Sequence, residues 1–141
     1  MGTDGNDFSR SMGIATSGLR AQAARMRVIS ENIANADSTG QTAGGDPYRR
    51  KIPTFTSELD RTLDARVVTL GRVRPDASAF RVRYEPNNPA ADAAGNVKYP
   101  NVNSVVEMTD MRQAQRSYEA NLNIISATRR MIQRTLDILK A

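Results

Sequence analysis

Both ends of this chain carry apolar residues at alternating three- and four-residue steps, a rhythm that commits each end to an amphipathic helix. Near the start the series runs Phe8, Met12, Ala15, Leu19, Met26, Ile29, Ile33 and Ala36, broken by Gln22. Near the end it runs Met108, Met111, Tyr118, Leu122, Ile125, Ile132, Leu136 and Leu139, with Gln115 and Arg129 as exceptions. Such stripes suit knobs-into-holes packing, so the expected fold class is mainly α with a small β region. Long N- and C-terminal helices are expected to pack as a coiled coil, with a central loop and β-hairpin segment between them in sequence. The boundaries read as a flexible tail over 1–7, an N-terminal helix over 8–36, a central region over 37–103 and a C-terminal helix over 104–140. Asp7 is the expected N-cap of the first helix, and Ser104 with Glu107 forms a capping box for the second, in competition with Asn103.

No Gly or Pro occurs from residue 104 onward, which allows a second helix about 55 Å long at 1.5 Å per residue. A compact 141-residue domain has a radius of gyration of about 15 Å, so this helix projects. It also bears a second apolar stripe, Ala120, Ile124, Ala127, Met131 and Ile138. One stripe serves the N-terminal helix of the same chain, and the other calls for another molecule. The core is thin: Leu, Ile, Val and Phe together make only 27 of 141 residues, beside 25% charged residues. That balance lies near the range where buried surface no longer offsets chain entropy. The isolated monomer is therefore expected to be partly folded and completed by neighbouring chains. Leu19, Met26, Ile29, Ile33, Leu122, Ile124, Ile125, Met131, Ile132, Leu136 and Leu139 are the expected apolar interface. Asn32, Asn35 and Tyr118 are the expected polar contacts that set register, since a buried amide at a helix seam selects partner and alignment.

The chain has no His and no Cys. It thus lacks an imidazole base, a thiolate nucleophile and the ordinary zinc ligands, so neither a catalytic nor a metal site is expected. Asp60 and Asp64 stand one helical turn apart beside Arg61, and the plain reading is solvated charge. No phosphate loop occurs, and no cofactor is expected. A charged n-region followed by an apolar h-region and cleavage site is absent, as is an apolar run of bilayer-spanning length.

The net charge of +5 resides in the middle, where residues 49–83 hold eight Arg and one Lys against four acids. The stretch 65–84 reads as a two-stranded hairpin: Val67, Thr69 and Val73 alternate with Arg72 and Arg74, and Phe80, Val82 and Tyr84 alternate with Arg81 and Arg83. An apolar face turned inward and an arginine face turned outward is the expected arrangement. Arg49, Arg50, Arg72, Arg74, Arg81 and Arg83 then meet an acidic partner surface. A small basic nucleic-acid-binding protein is the competing reading. It ranks second, because stacking platforms place aromatics and cations on the same face.

Ser30-Glu31-Asn32-Ile33-Ala34-Asn35-Ala36-Asp37-Ser38-Thr39-Gly40, followed by Pro47-Tyr48-Arg49, resembles the N-terminal signature of the bacterial flagellar rod and hook axial protein family. The connector from Tyr84 to Val102, together with Glu107-Met108 and Arg116-Ser117-Tyr118-Glu119-Ala120-Asn121, is similar to the proximal-rod branch of that family. The resemblance covers roughly 8–50 and 84–140. It implies a structural subunit of the proximal rod, exported without a cleaved signal and located in the basal body within the periplasm. The subunit assembles helically through its terminal helices and transmits motor torque to the hook. The implied partners are copies of itself, other proximal-rod subunits, the rod-to-export-gate adaptor, the distal-rod protein and surrounding ring proteins. Nucleic acid is not among them.

Overall fold

The computed structural model describes residues 4–141. Two long helices, α1 (Asp4–Ala34) and α2 (Ser104–Lys140), flank six short strands: β1 (Lys51–Ile52), β2 (Phe55–Asp60), β3 (Ala65–Leu70), β4 (Arg74–Pro75), β5 (Arg81–Tyr84) and β6 (Asn96–Tyr99). The fold is mainly helical with a small β region, as the end-to-end rhythm requires. The strands form three separate antiparallel pairs, β1 with β4, β2 with β3 and β5 with β6.

Of the expected tail, residues 1–3 lie outside the described residues, while Asp4 to Asp7 are already helical. Asp7 therefore sits inside the first turn rather than capping it. At the other end α1 stops at Ala34, two residues short of expectation, because the Asn35 side chain donates to the Glu31 carbonyl at 2.8 Å and ends the run. For α2 the cap is Asn103, whose Oδ1 accepts from the amides of Val105 and Val106 at 3.0 and 3.4 Å. Glu107 is thereby released from the capping box and turns inward.

The expected hairpin over 65–84 does not form. β3 pairs back with β2 across the four-residue turn 61–64, in register from Phe55 opposite Leu70 to Asp60 opposite Ala65. Asp60 Oδ1 holds that turn by accepting from the amides of Thr62 and Leu63, and Asp64 occupies the left-handed region at φ 47°. The loop between β3 and β5 is too long to compete with so short a closure. β5 pairs instead with β6, which lies in the stretch read as an irregular connector.

The chain divides into two compact units, and both helices contribute to each. The first holds the described residues up to Met26, with Phe55–Arg72 and Gln113–Ala141. Its buried apolar side chains are all small: Ala15, Ala21 and Ala114. Gly18 lets the two helices approach, since a Cβ there would lie 2.9 Å from the Asn121 amide nitrogen. The second unit holds Arg27–Thr54 and Val73–Arg112. It buries Val28, Ile29, Val97, Tyr99 and Val102, with Ala90 packed on the β6 side chains.

Candidate functional site

The second unit closes around a polar clasp that joins the end of α1 to the start of α2. Asn32, fully buried, presents its side-chain amide to the main chain of Lys51: Oδ1 accepts from the Lys51 amide at 2.9 Å, and Nδ2 donates to the Lys51 carbonyl at 2.8 Å. A helix side chain thus stands in for a strand beside β1. The same Nδ2 donates to Glu107 Oε2 at 3.1 Å, and Tyr48 Oη donates to Asn32 Oδ1 at 2.8 Å. Both side-chain polar atoms of Asn32 are engaged, as burial demands.

Glu107 is only 1% exposed, and its charge is matched by Arg50, whose Nε donates to Oε1 at 2.5 Å. Arg50 also reaches Asp76 at 3.3 Å and Asp110 at 3.9 Å. Burial works against the Arg50 charge, but the hydrogen bond and charge of Glu107, seconded by Asp76, hold its pKa above the usual guanidinium value. Burial, followed by the negative charges of Glu31 and Glu107, pushes the Tyr48 phenol up to about 12. Asp76 is held below the ordinary carboxylate range, first by the Ser78 amide at 2.8 Å and then by the Ser78 hydroxyl and Arg50. Asn101 completes the clasp by accepting from the Arg50 amide at 2.8 Å and donating to Asp76 O and Ser78 O. Lys51 and Glu31 form an ion pair on its rim.

The expected interface residues fall into three groups. Ile29 and Asn32 are buried; Leu19, Met26, Ile33, Asn35, Tyr118, Ile125 and Ile132 are half-buried; Leu122, Ile124, Met131, Leu136 and Leu139 are exposed. The inward row of α2 coincides with part of the expected stripe, since Met111, Tyr118, Ile125 and Ile132 belong to both. It runs Glu107, Met111, Ala114, Tyr118, Asn121, Ile125, Thr128 and Ile132, again at four- and three-residue steps. Ala114, Asn121 and Thr128 alternate with those shared residues, while Leu122 and Leu136 are 42% and 44% exposed. Glu107, Tyr48 and Asn101 escaped the sequence reading as site residues. The available signal was that Glu107 continues the heptad series of Met111, Ala114 and Tyr118.

The arginine face is reversed in the second unit. Directly paired residues share a face of a ladder, so Arg81 opposite Tyr99 and Arg83 opposite Val97 lie over the buried β6 side chains while staying open to solvent themselves, and Val82 and Tyr84 point to the other face. The reason is that β6 supplies the core here. Arg83 lies over the Tyr99 ring at 5.0 Å, while Arg81 donates to Pro100 O at 3.1 Å and Ala36 O at 3.0 Å. Arg49 stacks on Phe80 at 4.1 Å and donates to Asp76 O, and Arg50 is spent on the clasp. Arg72 and Arg74 stay exposed. Among the described residues no helix is long and apolar enough to cross a membrane.

Buried polar pins and an exposed greasy helix stripe are features of an assembling part, and the comparisons with known proteins agree. Residues 12–40 match the family model described as flagella basal body rod protein, and residues 93–138 match that of the flagellar basal body rod FlgEFG protein C-terminal region. The chain is 54% identical to the flagellar basal-body rod protein FlgC of Agrobacterium fabrum, over 91% of this chain and 92% of that one. It is similar to FlgC of Salmonella typhimurium at 40% identity, with 89% and 92% covered, and to FlgC of Aquifex aeolicus at 36%, with 95% and 98% covered.

Proposed function

The chain belongs to the FlgC family of flagellar basal-body rod proteins and is a structural subunit of the flagellar rod, and from that premise we propose that it builds the proximal rod through the outward stripe of α2. The carrying observation is that Ile124, Met131 and Ile138 are 46%, 53% and 75% exposed in the single chain. They recur along one side of α2, away from the row that turns inward. Full burial of such a side chain from water is worth about 1.5–3 kcal/mol, and the part still exposed, about half or more, is available to an interface. Repeated at every subunit, the contact gives a shaft whose helices carry motor torque to the hook.

On this reading the neighbours are copies of the chain and the other rod subunits, the adaptor at the export gate, the distal-rod protein and the surrounding ring proteins. The site of action is the periplasmic part of the basal body, reached by export without a cleaved signal. Arg72 and Arg74 supply the exposed cations for an acidic neighbour. The nucleic-acid reading gains no support, because Arg83 lies over the Tyr99 ring and Arg81 donates to Pro100 O and Ala36 O.

The test replaces Ile124 and Met131 with Asp in a motile strain lacking its own copy. Both positions are solvent-facing, so the far-UV spectrum of the purified variant should match the parent. Recovery in isolated basal bodies and swimming should both be lost. Normal rods carrying the double variant would remove the stripe from the interface.

A further inference from the structure

Every strand among the described residues pairs on one side only. Of the four longer ones β2 and β5 are the most open, with all of β5 and all but the last residue of β2 exposed. In the β5–β6 ladder the Glu85 amide donates to the Gly95 carbonyl at 2.9 Å. Alternation along an antiparallel pair then turns the main-chain groups of Val82 and Tyr84 away from β6. In the β2–β3 ladder the Val68 amide points outward to Ser17 Oγ at 3.2 Å, so its partner Ser57, and with it Leu59, turns its main-chain groups away from β3. The outward residues also carry exposed apolar side chains, with Leu59 61%, Val82 59% and Tyr84 72% exposed. Tyr84 is held in place over Gly95, which has φ +80° and no Cβ; one there would stand 2.8 Å from the ring.

The two edges are opposite in charge. β5 reads Arg-Val-Arg-Tyr and β2 ends Ser-Glu-Leu-Asp. We propose that β5 of one copy adds to the free edge of β2 on the next copy, antiparallel, with Val82 opposite Leu59 and Tyr84 opposite Ser57. That register sets Arg83 opposite Glu58 and Arg81 opposite Asp60. Cross-strand pairs of opposite charge are favourable and like charges opposite one another are not, so β5 with β5 and β2 with β2 are both disfavoured. A parallel alignment with Val82 opposite Leu59 runs Tyr84 beyond the end of β2, whereas the antiparallel one keeps all four residues of β5 on the strand. Joining two different edges makes a head-to-tail contact, which propagates along an array instead of closing a pair. This rests on the reading of the chain as a rod subunit and names a contact separate from the α2 stripe.

The sequence contains no Cys, so introduced thiols are the sole ones. In the added ladder residues 58 and 83 form a pair whose Cα atoms lie about 4.5 Å apart, within disulfide range. Cells lacking the native chain are made to express the E58C and R83C chains together, then treated with a mild oxidant. Linked dimers of twice the 15.5 kDa chain mass should form only when both variants are present. Separately, Glu58→Arg should cut recovery in basal bodies about fivefold or more, and adding Arg83→Glu should restore it. Absence of dimers in cells with normal rods, linkage of E58C to R81C in place of R83C, linkage to a different polypeptide, or failure of the second charge reversal to rescue would each overturn the proposal. If Ile124→Asp with Met131→Asp abolishes rods while Glu58→Arg does not, the edge contact falls and the rod function stands. If neither change affects rods, the rod-building mechanism falls as well.

Discussion

Replacing Arg50 with Met tests whether the clasp holds the two terminal helices together. The change keeps most of the side-chain length but strips the guanidinium from a carboxylate that is 1% exposed. Glu107 would lose the cation that now faces it and keep the Asn32 amide at 3.1 Å as a donor. Breaking a buried pair by removing one partner costs about 3–5 kcal/mol, a large share of the roughly 5–15 kcal/mol that holds a domain folded. The exposed pair Arg10–Asp64, at 34% and 80% side-chain exposure, belongs to a different class and contributes about 0–1 kcal/mol. Hydrogen exchange read peptide by peptide on the full chain is the assay, because it reports local opening. Amides in Val28–Ala34 and Val105–Arg112 should exchange about two to nearly four powers of ten faster, since 1.4 kcal/mol is tenfold. The double variant Arg50→Met, Glu107→Leu should recover most of the loss. It leaves Asn32 bonded to the Lys51 carbonyl, while Asp76 and Asp110, at 21% and 34% side-chain exposure, are within reach of water. Protection within about threefold of the parent in the single variant, with no difference between single and double, would refute the claim that the ion pair pins the helices.

Tyr48 gives an alkaline signature. Its folded pKa of about 12 lies above the ordinary 10.0, so the stability it contributes is complete below pH 10 and lost as pH rises toward 12. The expected result is loss of helical signal over that window, delayed in Tyr48→Phe; an identical alkaline transition in the two proteins would exclude Tyr48 as its source. Gly18→Leu places bulk where a mere Cβ already meets the Asn121 amide at 2.9 Å, and overpacking of this kind costs about 1–3 kcal/mol. Faster exchange of amides in the Ala15–Ala21 stretch checks it. The first unit buries only small apolar side chains, so far-UV helicity of the purified chain should rise with concentration. A cooperative melt that is the same at all concentrations would contradict that.

The helices were legible in the residues themselves. A long run free of Gly and Pro, with apolar residues at three- and four-residue steps, permits little else, and α2 spans Ser104–Lys140 accordingly. Asn32 stood out as an amide next to Ile33, but that its partners are Lys51, Glu107 and Tyr48 of the same chain was not legible. Hydrophobic spacing revealed only part of the side of α2 that turns inward. Met111, Tyr118, Ile125 and Ile132 of the apolar stripe lie on it, but Ala114, Asn121 and Thr128 alternate with them. Closeness of approach there is set by the Gly18–Asn121 contact and by the charge pair at Glu107.

Strand pairing shows the same division. Alternation in Ala65–Leu70 and Arg81–Tyr84 marks strands, since period two is a local property of the backbone. The partner of each strand, and so the face that is covered, is a non-local choice. β3 takes β2 because a four-residue turn closes at little entropic cost, and β5 takes β6 because Val97 and Tyr99 bring a core with them. The amino-acid order thus determined which segments are helix or strand and that apolar surface is left over. The tertiary structure alone decided which surface that is, because burial depends on what each face meets across space.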